Sequence, residues 1–187
     1  MSILDTLRLQ SLSSMQVEAK VQAEVERYAK RLTFAMIKPD ITSTGHAGEV
    51  LSAMERWFTV SDVVCSRWSR STMEEFYGAH REKPYFGELM DFMTSDRVYA
   101  VVLVAPTEDA VQRWRDLIGA TDPRKADPDS IRGRFGNKDG IIMRNAVHGS
   151  DSVENAMREI DLVHTRVSDT FGEGAVEPLI PLLDHPL

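Results

Sequence analysis

One cysteine, Cys65, stands alone among 187 residues. No intrachain disulfide can form, and a cysteine-rich zinc site is excluded. Long apolar runs are missing too: the stretch from Tyr99 to Pro106 is far too short to cross a bilayer, so no membrane partner is expected. Met1 to Asp5 carries no basic stretch leading into an apolar one, and no secretory signal is expected. These features point to the cytoplasm, or to a host's cytoplasm were the gene viral. Several chemical signatures are also absent. There is no Gly-x-x-x-x-Gly-Lys-Ser/Thr, which removes the P-loop proteins, and no Gly-x-Gly-x-x-Gly dinucleotide fingerprint. No His-Glu-x-x-His occurs, and the five histidines (His46, His80, His148, His164, His185) are widely spaced. A serine nucleophile at Ser150 would want a glycine two residues on, where Ser152 stands. An excess of positive charge is lacking as well. The formal charge is −7, so no nucleic-acid partner is expected.

What is present is ordinary for a soluble globular domain: 42% hydrophobic and 27% charged residues. The cations are unevenly spread. Arg113, Arg115, Arg124, Lys125, Arg132, Arg134, Lys138 and Arg144 fall in one stretch with acids between them. A solvated face is the plainer reading of such a run; a local anion site is the sharper one.

Taken in order, Ser13 to Arg31 reads as a helix, with Val17, Val21, Val25 and Tyr28 on one face. It precedes the first strand and looks like an added arm. Leu32 to Lys38 is a short apolar strand ended by Pro39-Asp40, and Ile41 to His46 is a polar loop. Gly48 to Trp57 is a helix, and Thr59 to Trp68, rich in valine, is a second strand. Ser71 to about His80 carries a capping signal, and Pro84 opens a helix to about Met93. Arg97 to Ala105 is a near-continuous apolar strand of the buried, central kind. A helix capped by Thr107-Glu108-Asp109 runs to Ile118. Gly119 to Ser130 is a long aperiodic loop, of the kind that is often functional. Ile131 to Phe135 is one helical turn, Gly136 to Gly140 a turn, Ile141 to Arg144 a short strand, and Asp151 to Asp161 a helix. Two β-α-β halves imply an α+β fold: a ferredoxin-like four-stranded antiparallel sheet with helices packed on one face, plus the N-terminal helix. The expected division is residues 1–31 as a helical extension, 32–162 as the domain, and 163–187 as an irregular tail.

His148 is the side chain with unusual surroundings. It follows a short apolar run, and Gly149 leads into a helix start. Neutral imidazole can attack a phosphorus centre if one ring nitrogen is free and the other is held by an acceptor. Glu159 lies two turns beyond Asp151 on the same helix face and could reach back to hold it. From local spacing alone, an ordinary histidine before a capped helix is the plainer reading.

Four separate segments change that balance. Asn145-Ala146-Val147-His148-Gly149-Ser150-Asp151-Ser152 resembles the active-site signature of nucleoside diphosphate kinases. Thr33 to Asp40 looks like that family's first strand, and Phe76 to Phe86 is similar to its nucleotide-clamping helix pair. Gly119-Ala120-Thr121-Asp122-Pro123 and Ser130-Ile131-Arg132-Gly133 resemble the two ends of its long loop. The motifs follow family order from about Leu32 to Leu162.

The resemblance implies a ping-pong transfer between nucleoside triphosphates and diphosphates through phospho-His148. Lys38 would meet the transferring phosphoryl group and the ribose hydroxyls. Tyr77 would lie near the phosphate, and Asn145 at the 3′-hydroxyl. Glu159 and Ser150 would orient His148. Tyr85, at a position where the family usually has Phe, would stack on the base, and Leu89 would add apolar contact. Arg115, Thr121 and Arg132 would bind the phosphates. Asp151 would help hold Mg²⁺, directly or through water, with the ion carried mainly by the nucleotide. A homo-oligomer is implied. Three features depart from the family: Ile41 replaces a common glycine, Gly136 to Gly140 is an insertion beside the base pocket, and the arm and tail find no match. Two other functions use the same fold: a catalytically silent nucleotide-binding or assembly module, and a protein-histidine phosphotransferase.

Overall fold

The computed structural model describes residues 14–171. Expectations about residues 1–13, and about the tail beyond Phe171, lie outside the described residues. The arm forms helix α1 (Ser14–Ala29). Its valines Val21 and Val25 are exposed. It is fixed to the domain at its end: Arg31 Nε donates to the Ala105 carbonyl at 3.0 Å, and Ala110 N donates to the Lys30 carbonyl at 3.1 Å.

The domain runs β1 (Leu32–Ile37), α2 (Pro39–Thr42), α3 (Ala47–Glu55), β2 (Thr59–Ser66), α4 (Arg70–Phe76), a 3₁₀ turn (Gly78–His80), α5 (Phe86–Met93), β3 (Val98–Val104), α6 (Ala110–Ile118), α7 (Ile131–Phe135), β4 (Val147–Gly149) and α8 (Val153–Phe171). The sheet has four strands in the order β2-β3-β1-β4, and every neighbouring pair is antiparallel. This is the expected ferredoxin-like architecture.

Every residue of β1 is buried, because both faces of the sheet are covered. Phe34 and Met36 point into one core with Met73 and Phe76 of α4, Met90 and Met93 of α5, and Ile160 of α8. Ala35 and Ile37 point into the other, with Val50 and Met54 of α3 and Trp114 and Ile118 of α6. Helices therefore lie on both faces, not on one. The two crossover helices, α3 and α6, share a face as a β-α-β repeat requires. Strands β1 and β3 are apolar on both sides, so the second face needs its own cover, which α4, α5 and α8 supply.

Three local expectations differ from the fold. Pro39–Thr42 is a short helix across the expected strand end and the start of the expected loop, opened by Pro39 at its first turn. Ile141 to Arg144 is not a strand. Arg144 N donates to the Ile141 carbonyl at 2.9 Å, closing a turn, and Ile141 and Ile142 are exposed. The sheet is completed instead by the three residues Val147–Gly149. The last helix continues to Phe171, past the expected end at Asp161.

Candidate active site

Strand β4 lies at the sheet edge, with His148 opposite Met36 of β1. That register turns the imidazole onto the face of Phe34. The ring sits in an aromatic box: Phe76 at 5.1 Å and Tyr77 at 5.9 Å meet it edge-on, and Phe34 lies at 6.2 Å. Trp114, fully buried in α6, donates its indole N–H to the His148 carbonyl at 3.3 Å. Gly149 permits this approach, since a Cβ there would collide with the Trp114 indole.

The buried Glu159 carboxylate organises the imidazole. Its Oε1 stands 3.1 Å from His148 Nε2, and its Oε2 accepts a 2.6 Å hydrogen bond from Ser150 Oγ. Ser150 is itself tied to β1, its backbone N–H donating to the Phe34 carbonyl at 3.2 Å. The assignment that fits a carboxylate acceptor puts the proton on Nε2. The Nδ1 lone pair is then available, and among the described residues it has no hydrogen-bond partner.

His148 opens onto a cleft of about 610 Å³ whose lining includes Tyr77, Arg115, Thr121, Arg132, Asp151 and Glu159. Lys38, Asn145 and Ser150 are buried and do not line it. They are bonded to it or to one another. Lys38 Nζ donates to Asn145 Oδ1 at 2.7 Å and to the Met143 carbonyl at 3.3 Å. Asn145 Nδ2 donates to the Thr121 carbonyl at 2.9 Å. Tyr85 and Leu89 do not line the cleft. Tyr85 is partly exposed, with its hydroxyl 3.0 Å from Nδ1 of His80, which does line the cleft. Leu89 is buried in the core under α5. The Gly136 to Gly140 insertion does not line the cleft. A Cβ on Gly136 would lie 2.7 Å from Pro123, and one on Gly140 3.5 Å from Arg124. The following turn touches the site through the Met143 carbonyl.

Burial sets the electrostatics. It lowers the Lys38 ammonium to about 7, aided by the nearby Arg132 guanidinium and opposed by Asp40. It lowers Arg132 to about 10, with Arg115 adding to the effect. Arg132 uses two of its nitrogens to bind the carbonyls of Gly119 and Val147, each at 3.0 Å. The Tyr77 phenol is raised well above its ordinary value by burial and by the Glu159 charge. Asp151 is held below the usual carboxylate range, chiefly by a 2.6 Å hydrogen bond from Asn155 Nδ2. Cationic walls with an open imidazole nitrogen among them suit an anionic phosphoryl group.

The sequence model of the family described as Nucleoside diphosphate kinase matches residues 31–167. The chain belongs to the nucleoside diphosphate kinase family. It is 47% identical over 131 residues to the nucleoside diphosphate kinase of Frankia casuarinae, covering 70% of this chain and 92% of that one. It is 41% identical over 143 residues to that of Deinococcus radiodurans, covering 76% and 95%. Among solved structures it is similar to the Aquifex aeolicus nucleoside diphosphate kinase, with a TM-score of 0.65, 39% identity, and 71% and 94% coverage. The Encephalitozoon cuniculi nucleoside diphosphate kinase matches with a TM-score of 0.66 and 31% identity, covering 82% and 97%.

The polar residues lining the cleft that the sequence reading did not single out include Glu75, His80, Asn155 and Arg158. Asn155 and Arg158 follow Asp151 at helical spacing on the face that also carries Glu159. That periodicity was the signal available for them.

Proposed function

We propose that the chain is an active nucleoside diphosphate kinase that works through phospho-His148. The observation that carries this reading is the state of one ring: Nε2 is held by Glu159 while Nδ1 is left open beside a cationic cleft. In the first half-reaction the Nδ1 lone pair attacks the γ-phosphorus of a nucleoside triphosphate. The N–P bond forms, the bond from phosphorus to the β-phosphate oxygen breaks, and a nucleoside diphosphate leaves with that electron pair. The Nε2 proton stays toward Glu159, whose charge stabilises the cationic ring that results. The second half-reaction reverses these steps onto another nucleoside diphosphate.

In this reading Arg115, Thr121 and Arg132 take the phosphates, Lys38 and Asn145 take the sugar side and the transferring group, and Tyr77 borders the phosphoryl position. Tyr85 stacks on the base with Leu89 behind it, which leaves little base-specific hydrogen bonding. Asp151, an exposed carboxylate on the cleft wall, suits an ion that keeps its waters and arrives on the nucleotide. Asp151 would hold Mg²⁺ there, directly or through water, and the ion's charge would offset that on the phosphate oxygens.

The free edge of β2, with Val63 exposed on it and Trp57 exposed just before it, supports assembly as a homo-oligomer. A free, exposed Cys65 suits a reducing, cytoplasmic setting.

Incubation with γ-labelled ATP and magnesium should give acid-labile label on the protein, dischargeable by any of several nucleoside diphosphates. His148→Asn should take up none. Label retained in that variant, or none in the parent, would reject the reading; nucleotide binding without labelling would indicate a silent module. Native mass in the same preparation reads the assembly.

A further inference from the structure

Among the described residues, Ala146 is the one non-glycine residue with positive φ, at 69°. Val147 N donates to the Asn145 carbonyl across it at 2.8 Å. A two-residue hydrogen bond closed over a positive φ is a γ-turn of the rare, strained kind. A residue with a Cβ adopts that conformation only where its surroundings impose it. Ala146 is fully buried, so its backbone groups must also find partners there.

Both partners come from one short segment. Lys38 N donates to the Ala146 carbonyl at 2.9 Å, and Asp40 Oδ2 accepts from Ala146 N at 2.9 Å. The second is a charge-assisted bond, of the stronger class. The other carboxylate oxygen, Oδ1, is buried without a hydrogen-bond partner among the described residues. An acid kept in such a place does something that a smaller apolar residue would not. On one side of the turn, Asn145 bridges Lys38 and the Thr121 carbonyl. On the other, β4 begins and places His148 against Met36.

We infer that Asp40 is a positioning residue: its carboxylate holds Ala146 in the strained turn, and the turn aims Asn145 and His148 at one cleft. The activity readout of this inference rests on the kinase reading above; the geometry does not.

The test uses the full chain as wild type, Asp40→Ala, and Asp40→Ala combined with Ala146→Gly. Glycine adopts positive φ without strain, so the second change should restore what the first removes. Asp40→Ala should lower kcat for phosphate transfer from ATP to a nucleoside diphosphate by roughly 10²-fold, the loss expected for ångström-scale misplacement. The double variant should recover most of that loss at an equal folded fraction, checked by thermal melting. A merely structural role for Asp40 would not be relieved by glycine at position 146. Should Asp40→Ala not fold, Asp40→Asn keeps the shape with a weaker acceptor, and the same glycine rescue applies. Imidazole ¹⁵N resonances of His148 provide a readout without turnover: the pattern should change in the single variant and return in the double one. An active Asp40→Ala, or a double variant no better than the single, overturns the inference. If the wild type itself transfers no phosphate, the kinase reading falls and the ¹⁵N pattern alone decides. Change and rescue then uphold Asp40, and an unchanged pattern overturns it.

Discussion

Lys38 Nζ donates a 2.7 Å hydrogen bond to Asn145 Oδ1, and both residues are buried. The ammonium is thus stored against a neutral acceptor, close to a second cation, in a place that favours its loss of charge. A polyphosphate arriving at the site would supply the missing counter-charge and restore the proton.

Nucleotide binding should therefore take up protons above neutral pH. With Lys38 near 7 in the free protein, uptake at pH 8 should approach one proton per site, and at pH 6 it should be close to none. Titration calorimetry in buffers of different ionisation enthalpy measures this directly. Lys38→Met should abolish the difference between buffers.

The same residue gives stability a pH slope. Between about 7, its folded value, and 10.5, its ordinary one, the unfolded chain holds a proton that the folded chain lacks. Lys38 thus makes stability rise with pH through that window, and its penalty is full below pH 7. Urea midpoints at pH 6.5 and 9.5 should show a smaller difference in Lys38→Met than in the parent.

Glu159→Gln keeps an acceptor for His148 Nε2 but removes the charge that stabilises the ring as it reacts. The rate of His148 labelling should fall by about 10- to 100-fold, the range known for orienting partners of metal-bound imidazoles. Rapid-quench measurement of the first half-reaction gives the number.

Gly149→Ala should destabilise the fold and the site together. The new Cβ meets the Trp114 indole, which is fully buried and cannot retreat without opening the core under α6. Overpacking of this kind costs about 1–3 kcal/mol. For a chain of this length that corresponds to a melting point lower by roughly 2–12 °C, readable by calorimetry.

Tyr85→Ala should act on affinity. Loss of a stacked base contact costs about 1–3 kcal/mol, so KM for nucleotides should rise roughly 5- to 160-fold with kcat little changed. Tyr85→Phe keeps the ring and should show a far smaller effect, which separates stacking from the hydroxyl contact with His80.

The legible parts of this molecule were those whose cause is local. Strands β1 and β3 are dense apolar runs, α6 has a polar start and a glycine after its end, and Glu159 stands two helical turns beyond Asp151. Most of the misread parts have non-local causes. Ile141-Ile142-Met143 has the composition of a strand, yet Asp139 Oδ1 accepts from Ile141 N at 2.8 Å and Asn137 N donates to the Arg144 carbonyl at 2.9 Å. Those bonds fold the segment on itself and leave no straight edge to pair. The true edge strand contains a histidine and a glycine and is only three residues long, too short to show a period of two. Asp40 looked like a turn residue after Pro39, because its partner, Ala146, is 106 positions away. Helix α8 runs past its expected end: Val153, Ala156, Ile160, Val163 and Val167 recur at helical spacing, and Ile160, Leu162 and Val163 are held in the core on the Phe34 face.

Trp114 gives the site its own lamp. Of the three tryptophans, Trp57 is exposed, and Trp68 lies in the other core with no hydrogen-bond partner for its indole N–H among the described residues. Trp114 alone bonds the backbone carbonyl of the residue that would carry the phosphate. Indole emission is sensitive to its hydrogen-bond acceptor. A shift of β4 on loading or unloading His148 therefore changes the colour or brightness of one buried fluorophore. Turnover can be watched in unlabelled protein, with Trp114→Phe as the dark control.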